Sequence, residues 1–466
     1  MKRHTLHPLA LALCGAAVLA ALLAFTHPRT DSPDGRKHPM HRYPLSPVSV
    51  DTTYTFIRYA DNHMYIAPDS TSVNRFFASW QRLVHTNQGH ISIMHIGSSH
   101  VQGGTLPHTI RRNLLLAYPD LVASRGMIFP YSAARKCNNP YDYTVSRDRC
   151  LDLTRCVYKE PQQPLGLCGI AVTAADSTSV IGLRLSDSDL DFATTEVVLL
   201  GHSHGGVVPL LRCGTLRQVP SRIDSLRHRY YFNLPAVADS FSIILPCEKD
   251  QSFALTGVLL RNDYSGFTYH SIGVNGASLA DYLRCPHFAT DLQLVKPDMV
   301  IFGIGINDAA APGFDTLVFR QQYQRLIDTI RSVSPSCAFV FITNNDSFRR
   351  VKKGSYAVNT NGALARQVFY RLADANGGMV WDQFQVMGGL RSMDQWRKAG
   401  LAQSDRVHFT RSGYQMIGNL FTNALIEAYQ RFDLGRPFNP MLPALQRSSN
   451  LPTPRIVKPS SHERTK

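Results

Sequence analysis

Hydrophobic positions recur at two spacings along the chain, and the two spacings alternate in blocks. In SVNRFFASWQRLVHT (72–86), Phe76, Trp80 and Leu83 fall at helical intervals. The run Ile91 to Ile96 is short and β-rich, stops at Gly97, and is followed by a helix-like segment at 109–118. Strand, tight turn and helix in that order open an α/β sheet. Between 130 and 265 the spacing changes. SVIGLRL, TEVVLLG, RYYFNL, SFSIILP and FALTGVLLR are β-like runs set apart by Gly, Pro, Asp and Ser, with no amphipathic helix among them. That pattern predicts an all-β module, a sandwich or jelly roll. Beyond 265 the first spacing returns, with strands over 298–305, 338–343 and 379–384 and helices over 316–333, 359–375 and 411–431. The last helix carries Tyr414, Ile417, Phe421, Leu425 and Tyr429 on one face. One α/β domain is therefore expected, interrupted by a β-rich insertion.

The two ends read differently. Lys2 and Arg3 precede an apolar stretch of 17 residues from Leu9 to Phe25. It is long for the apolar part of an export signal and marginal for crossing ~30 Å of hydrocarbon. The stretch suits either a cleaved signal or a membrane anchor through residues 9–25, and both direct the chain out of the cytoplasm to a periplasm or envelope. A Pro-, His- and Ser-rich linker follows over 27–65, and the chain ends in a polar, basic tail over 433–466. Outside the leader eight cysteines remain, and four of them lie between 137 and 168. An even count permits disulfides in an oxidising compartment, while the lack of any C-x-x-C pair argues against a zinc or dithiol site.

Composition narrows the class without naming an activity. With 44 % hydrophobic and 18 % charged residues the chain is globular. The net charge of +15 suggests an anionic partner. No nucleic-acid motif or run of five basic residues is present, so nucleic acid is not expected, and acidic glycans or lipid headgroups fit better.

Four blocks carry candidate chemistry. In HIGSSHVQGG (95–104) a serine follows a strand at a tight turn, where α/β folds present ligand-binding groups. In SDRVHFT (404–410) Asp405 and His408 are three apart, close enough for a carboxylate to orient an imidazole. A serine hydroxyl needs such a base to become a nucleophile. In IFGIGINDAA (301–310) Asn307 stands at a strand's end, able to donate its amide to a developing oxyanion. In HSIGVNGAS (270–278) Gly276 allows its backbone N–H to approach the same oxygen. Each block alone also fits a plain turn or surface pair.

Taken together, and in their order along the chain, the blocks resemble the SGNH (GDSL) hydrolase family. The resemblance rests on Gly97-Ser98-Ser99, Gly276, Gly305 to Asp308 and Asp405 to His408. Met387-Gly388-Gly389, Trp396, Gly400 to Ala402 and VHFTRSGY (407–414) look like an envelope-associated branch of that family, whose members include peptidoglycan and glycan O-acetylesterases. The resemblance implies a three-layer α/β/α core with a parallel sheet, split into 66–129 and 266–432 by the insertion at 130–265. It also implies Ser99 as nucleophile, His408 as base and Asp405 as its orienter. The oxyanion hole would be the N–H groups of Ser99 and Gly276 with the Asn307 amide, and no metal or organic cofactor is required. The implied substrate is a polysaccharide ester. One departure stands out: the family's Asp before the nucleophile is Ser98 here.

A rival lies in the insertion. Gly201-His202-Ser203-His204-Gly205 matches the G-x-S-x-G elbow of α/β-hydrolases. That elbow needs a helix directly after the serine, yet Val207-Val208-Pro209 follows. His202 and His204 would offer a metal two ligands, but the sequence shows no obvious others. The competing functional expectations are a general carboxylesterase or lipase, including one that uses Ser203, and a glycan-binding protein with an impaired catalytic core.

Overall fold

The structure is a computed structural model that describes residues 47–118, 121–135, 137–174, 176–185 and 193–438. The apolar stretch at 9–25 and the tail from 439 lie outside the described residues. Among the described residues, no helix is long and apolar enough to cross a membrane.

A seven-stranded sheet forms the centre. Its order is Met64–Ile66, Met379–Trp381, Ala338–Ile342, Met299–Gly303, His90–Gly97, Gly266–Gly273 and Val122–Ser124. His90–Gly97 is buried from Ile91 onward, as its unbroken apolar run requires of a strand covered on both faces. Alternation along the strands feeds two cores. Val300, Phe302, Phe339 and Phe341 enter one, and Met299, Ile301, Ala338 and Val340 the other. The second core is closed by the helices Thr71–Thr86, Thr105–Ala117 and Arg411–Asp433. The first is shared by Phe288–Val295, Thr316–Val333, Asn361–Asn376 and the strand-rich segment between 126 and 261.

That segment holds a five-stranded sheet (Leu216–Gln218, Leu210–Cys213, Ser240–Leu245, Ser179–Leu185, Tyr143–Arg147) and an eight-stranded one built around Glu196–His204 and Gln251–Arg261. All their pairings are antiparallel. The eight cysteines are free thiols. Those of Cys156 and Cys285 share a hydrogen bond, which together with burial pushes the Cys156 thiol pKa up.

Three sequence expectations are corrected. The central sheet is mixed, because Met64–Ile66 runs antiparallel to Met379–Trp381 at the edge. Three residues are too few to show a period, and an edge strand needs no crossover to add in that sense. The linker expected over 27–65 does not extend to its end, since Ile57, Met64 and Tyr65 are buried. The Val48 N–H also donates to Asn423 Oδ1 at 2.7 Å, so this segment is strapped to the last helix. Finally, the strand expected over 379–384 stops at Trp381, where Asp382 caps the helix Gln383–Val386 by accepting from the Gln385 N–H.

Candidate active site

The three central strands His90–Gly97, Gly266–Gly273 and Met299–Gly303 all end in glycine, which lets the chain cross closely at their C-terminal edge. A Cβ on Gly97 would stand 2.6 Å from the Gly303 carbonyl oxygen, and one on Gly273 2.4 Å from the Gln102 nitrogen. Through that gap the chain turns at Ser98 into the short helix Ser99–Gln102.

Ser99 Oγ lies 2.7 Å from His408 Nε2. His408 Nδ1 lies 2.7 Å from Asp405 Oδ2, while Asp405 Oδ1 accepts the N–H groups of Val407 and His408 at 2.9 and 3.0 Å. Arg406 takes a left-handed φ of 59°, curling the loop so that residues three apart face each other. Burial raises the Asp405 carboxyl pKa, but hydrogen bonds from the His408 ring and from both N–H groups outweigh it and hold the value at about 2. A carboxylate ionised at neutral pH is a fixed acceptor for Nδ1–H, which leaves Nε2 to receive the serine proton.

Gly276, with φ 83°, sits in the loop joining Gly266–Gly273 to Leu279–Leu283. The loop is tied on both sides. The Asn275 N–H donates to Gln102 Oε1 at 2.7 Å, binding it to the helix that Ser99 begins. Asn307 Nδ2 donates to the Ala277 carbonyl at 2.9 Å, and Asp308 Oδ1 accepts the Leu279 N–H at 3.1 Å. One N–H of the Asn307 amide is thus engaged, and the group has a second to offer. Arg155, from the strand-rich segment, donates to the Asn275 carbonyl.

Several neighbours were not singled out from sequence. His100 is buried, its Nδ1 lies 2.7 Å from the Tyr414 hydroxyl, and its ring centroid is 5.2 Å from that of His408. Burial first and the His408 charge second hold its pKa down at about 3, so it braces His408 as a neutral ring. Tyr282 donates to the Gly97 carbonyl at 2.8 Å, fixing the strand end. The only sequence signal for His100 was adjacency to Ser99; Gln102, Tyr282 and Arg155 carried none. Ser98 is fully buried, and its Oγ has no hydrogen-bond partner among the described residues.

Ser203 is placed otherwise. Its Oγ donates to the Val207 carbonyl at 2.7 Å. A turn through Gly205 and Gly206, both at positive φ, leads to the strand Leu210–Cys213 and not to a helix. The strand-to-helix geometry of an elbow is therefore not formed there.

The GDSL-like Lipase/Acylhydrolase family model matches residues 247–416, a span that holds Gly276, Asn307, Asp405 and His408 and begins after the Ser99 turn. Over that span the chain is similar to the GDSL-like ester hydrolases. No curated protein sequence matches it significantly. Among solved structures it is similar in fold to "Peptidoglycan O-acetylesterase in action, 5 min", with TM-score 0.64 and 18 % identity, covering 79 % of this chain and 99 % of that one. An acetyl xylan esterase, AlAXEase, gives TM-score 0.28 at 19 % identity over 34 % of this chain and 81 % of that one, too partial a likeness to argue from. Ser98, where the SGNH pattern has Asp, lies before the matched span and departs from that pattern.

Proposed function

We propose that this SGNH hydrolase is an exported serine esterase that removes acyl groups, O-acetyl above all, from a cell-envelope or other polysaccharide. Ser99 Oγ attacks the ester carbonyl while His408 Nε2 takes its proton, and Asp405 steadies the imidazolium. The oxyanion is received by the N–H groups of Ser99 and Gly276 and by the Asn307 amide. Collapse expels the sugar hydroxyl with the proton from His408 and leaves an acyl-serine. Water, deprotonated by His408, then releases the acid and restores the serine.

The observation that carries this reading is the hydrogen-bonded line from Ser99 through His408 to Asp405, 2.7 Å at each step. Export rests on the N-terminal sequence alone. The polymer substrate is supported by the fold shared with a peptidoglycan O-acetylesterase and by a groove of about 490 Å³ across the five-stranded sheet, lined in part by Ser146, Arg184, Arg212, Ser240 and Ser242. In this reading residues 130–265 are an insertion module that holds glycan beside the core at 66–129 and 266–432.

Hydrolysis of p-nitrophenyl acetate by wild type, Ser99→Ala and Ser203→Ala tests the assignment. Activity is expected to vanish only in the Ser99 variant. Full activity there would remove Ser99 from its role, and loss only in the Ser203 variant would favour the elbow. A soluble wild type that is inactive but retains glycan would favour a binding protein. Acetate release from O-acetylated peptidoglycan, compared with acetylated xylan and acyl lipids, sorts the substrates.

A further inference from the structure

We infer that His202, His228 and His287 form a binding site for a divalent transition-metal ion of the zinc class, held by three imidazole nitrogens where the strand-rich segment meets the α/β core. The three residues are far apart in sequence and come from three elements. His202 lies near the end of Glu196–His204, His228 in the turn before Arg229–Asn233, and His287 at the start of Phe288–Val295. Their ligand atoms lie within 4.8 Å of one another, and the rings are 4.3, 4.7 and 5.3 Å apart between centroids. Zinc holds imidazole nitrogens at ~2.0–2.1 Å, which sets two ligands ~3.4 Å apart in a tetrahedron, so small ring rotations close the set.

The backbone around each ring is fixed. His228 stands at a left-handed φ of 55°, and its carbonyl accepts the Gly201 N–H at 3.1 Å. A non-glycine residue at such φ is held there by its surroundings. The His287 N–H donates to the Leu165 carbonyl at 3.1 Å. The Pro164 carbonyl takes a hydrogen bond from the His202 ring, which leaves that ring's other nitrogen its lone pair; a carbonyl behind a ligating histidine is the usual outer support. All three side chains are half-buried, so an ion has access.

Three histidines leave the fourth tetrahedral position to water. The site joins two parts of the chain, because His202 lies on a β strand, His228 in the turn between two strands and His287 at the cap of a core helix. The ion is a staple across that seam, separate from the Ser99 machinery.

The test uses the full chain stripped by chelator and dialysed, then titrated with Zn²⁺ alone and, separately, with Co²⁺. One ion per chain, a raised melting temperature with Zn²⁺ and the visible bands of tetrahedral Co²⁺ are expected. His228→Gln and His287→Gln should each weaken binding by ~10²-fold or more, beyond the loss seen for outer-shell partners, and leave p-nitrophenyl acetate hydrolysis unchanged. No stoichiometric uptake by wild type would overturn the inference. So would uptake that survives His202→Gln/His287→Gln, or a thiolate-to-cobalt charge-transfer band, which would put the ion on cysteines. If a variant does not fold, the wild-type stoichiometry and Co²⁺ spectrum decide alone.

Discussion

At the scale of single residues, Asn307 and Ser98 make opposite predictions. The Asn307 amide donates to Ala277 and so holds the loop, and in the proposed mechanism its second N–H receives the oxyanion. Asn307→Ala is expected to lower turnover by about 10²–10³-fold with a smaller change in KM, as steady-state kinetics on p-nitrophenyl acetate would show. Ser98 stands where the SGNH pattern has Asp, with a buried hydroxyl that has no hydrogen-bond partner among the described residues. A buried unpaired hydroxyl costs stability, so Ser98→Ala should keep activity and match or exceed the wild-type melting temperature. Loss of activity in that variant would move the nucleophile from Ser99 to Ser98. The pieces of the Ser99–His408–Asp405 hydrogen-bonded line were legible in sequence because a serine at a strand-end turn and a carboxylate–imidazole pair three apart are local patterns. His100 was not. Its value lies in a ring contact with His408 and a bond to Tyr414, both about three hundred residues along the chain.

At the scale of elements, helices and strands followed from period wherever they were long. Thr71–Thr86 buries Val73, Phe76, Phe77, Trp80 and Leu83, the stripe its spacing gives. The short helices Leu279–Leu283, Ile306–Ala310 and Ser392–Lys398 showed no such stripe; one or two turns offer too few positions to repeat. A titrating group links the helix Phe288–Val295 to pH. Asp291 accepts the Leu167 N–H at 3.0 Å, and a Cβ on Gly166 would overlap its Oδ2. Burial raises the Asp291 carboxyl to about 7. A raised folded-state pKa stabilises below the unfolded value of about 3.9 and loses that contribution as pH rises through the folded one. Asp291→Asn should therefore gain on wild type in melting temperature between pH 5 and pH 8, by a few degrees. A difference that is constant across that range would contradict the shift.

At the scale of the whole molecule, the strand-rich segment and the core are not independently packed. Val197, Leu199 and Val258 belong to the same apolar cluster as Val300 and Phe341 of the central sheet. Arg155 reaches from that segment to the loop of Gly276. If the groove on the five-stranded sheet holds the polymer, Arg184→Ala/Arg212→Ala should slow acetate release from O-acetylated polysaccharide several-fold. Turnover of p-nitrophenyl acetate should stay unchanged, and an equal loss on both substrates would count against a glycan role for that groove.

By itself the sequence determined the two-period layout, the buried strand that ends at Gly97 and the order of the four chemical blocks. Each depends on residues near one another along the chain, where periodicity and turn chemistry act. Only the tertiary structure decided that the sheet is mixed, that Arg155 reaches the Gly276 loop and that His100 packs beside His408. It alone gathered His202, His228 and His287. These are contacts across tens to hundreds of residues, set by how sheets and helices pack, and no local spacing encodes them.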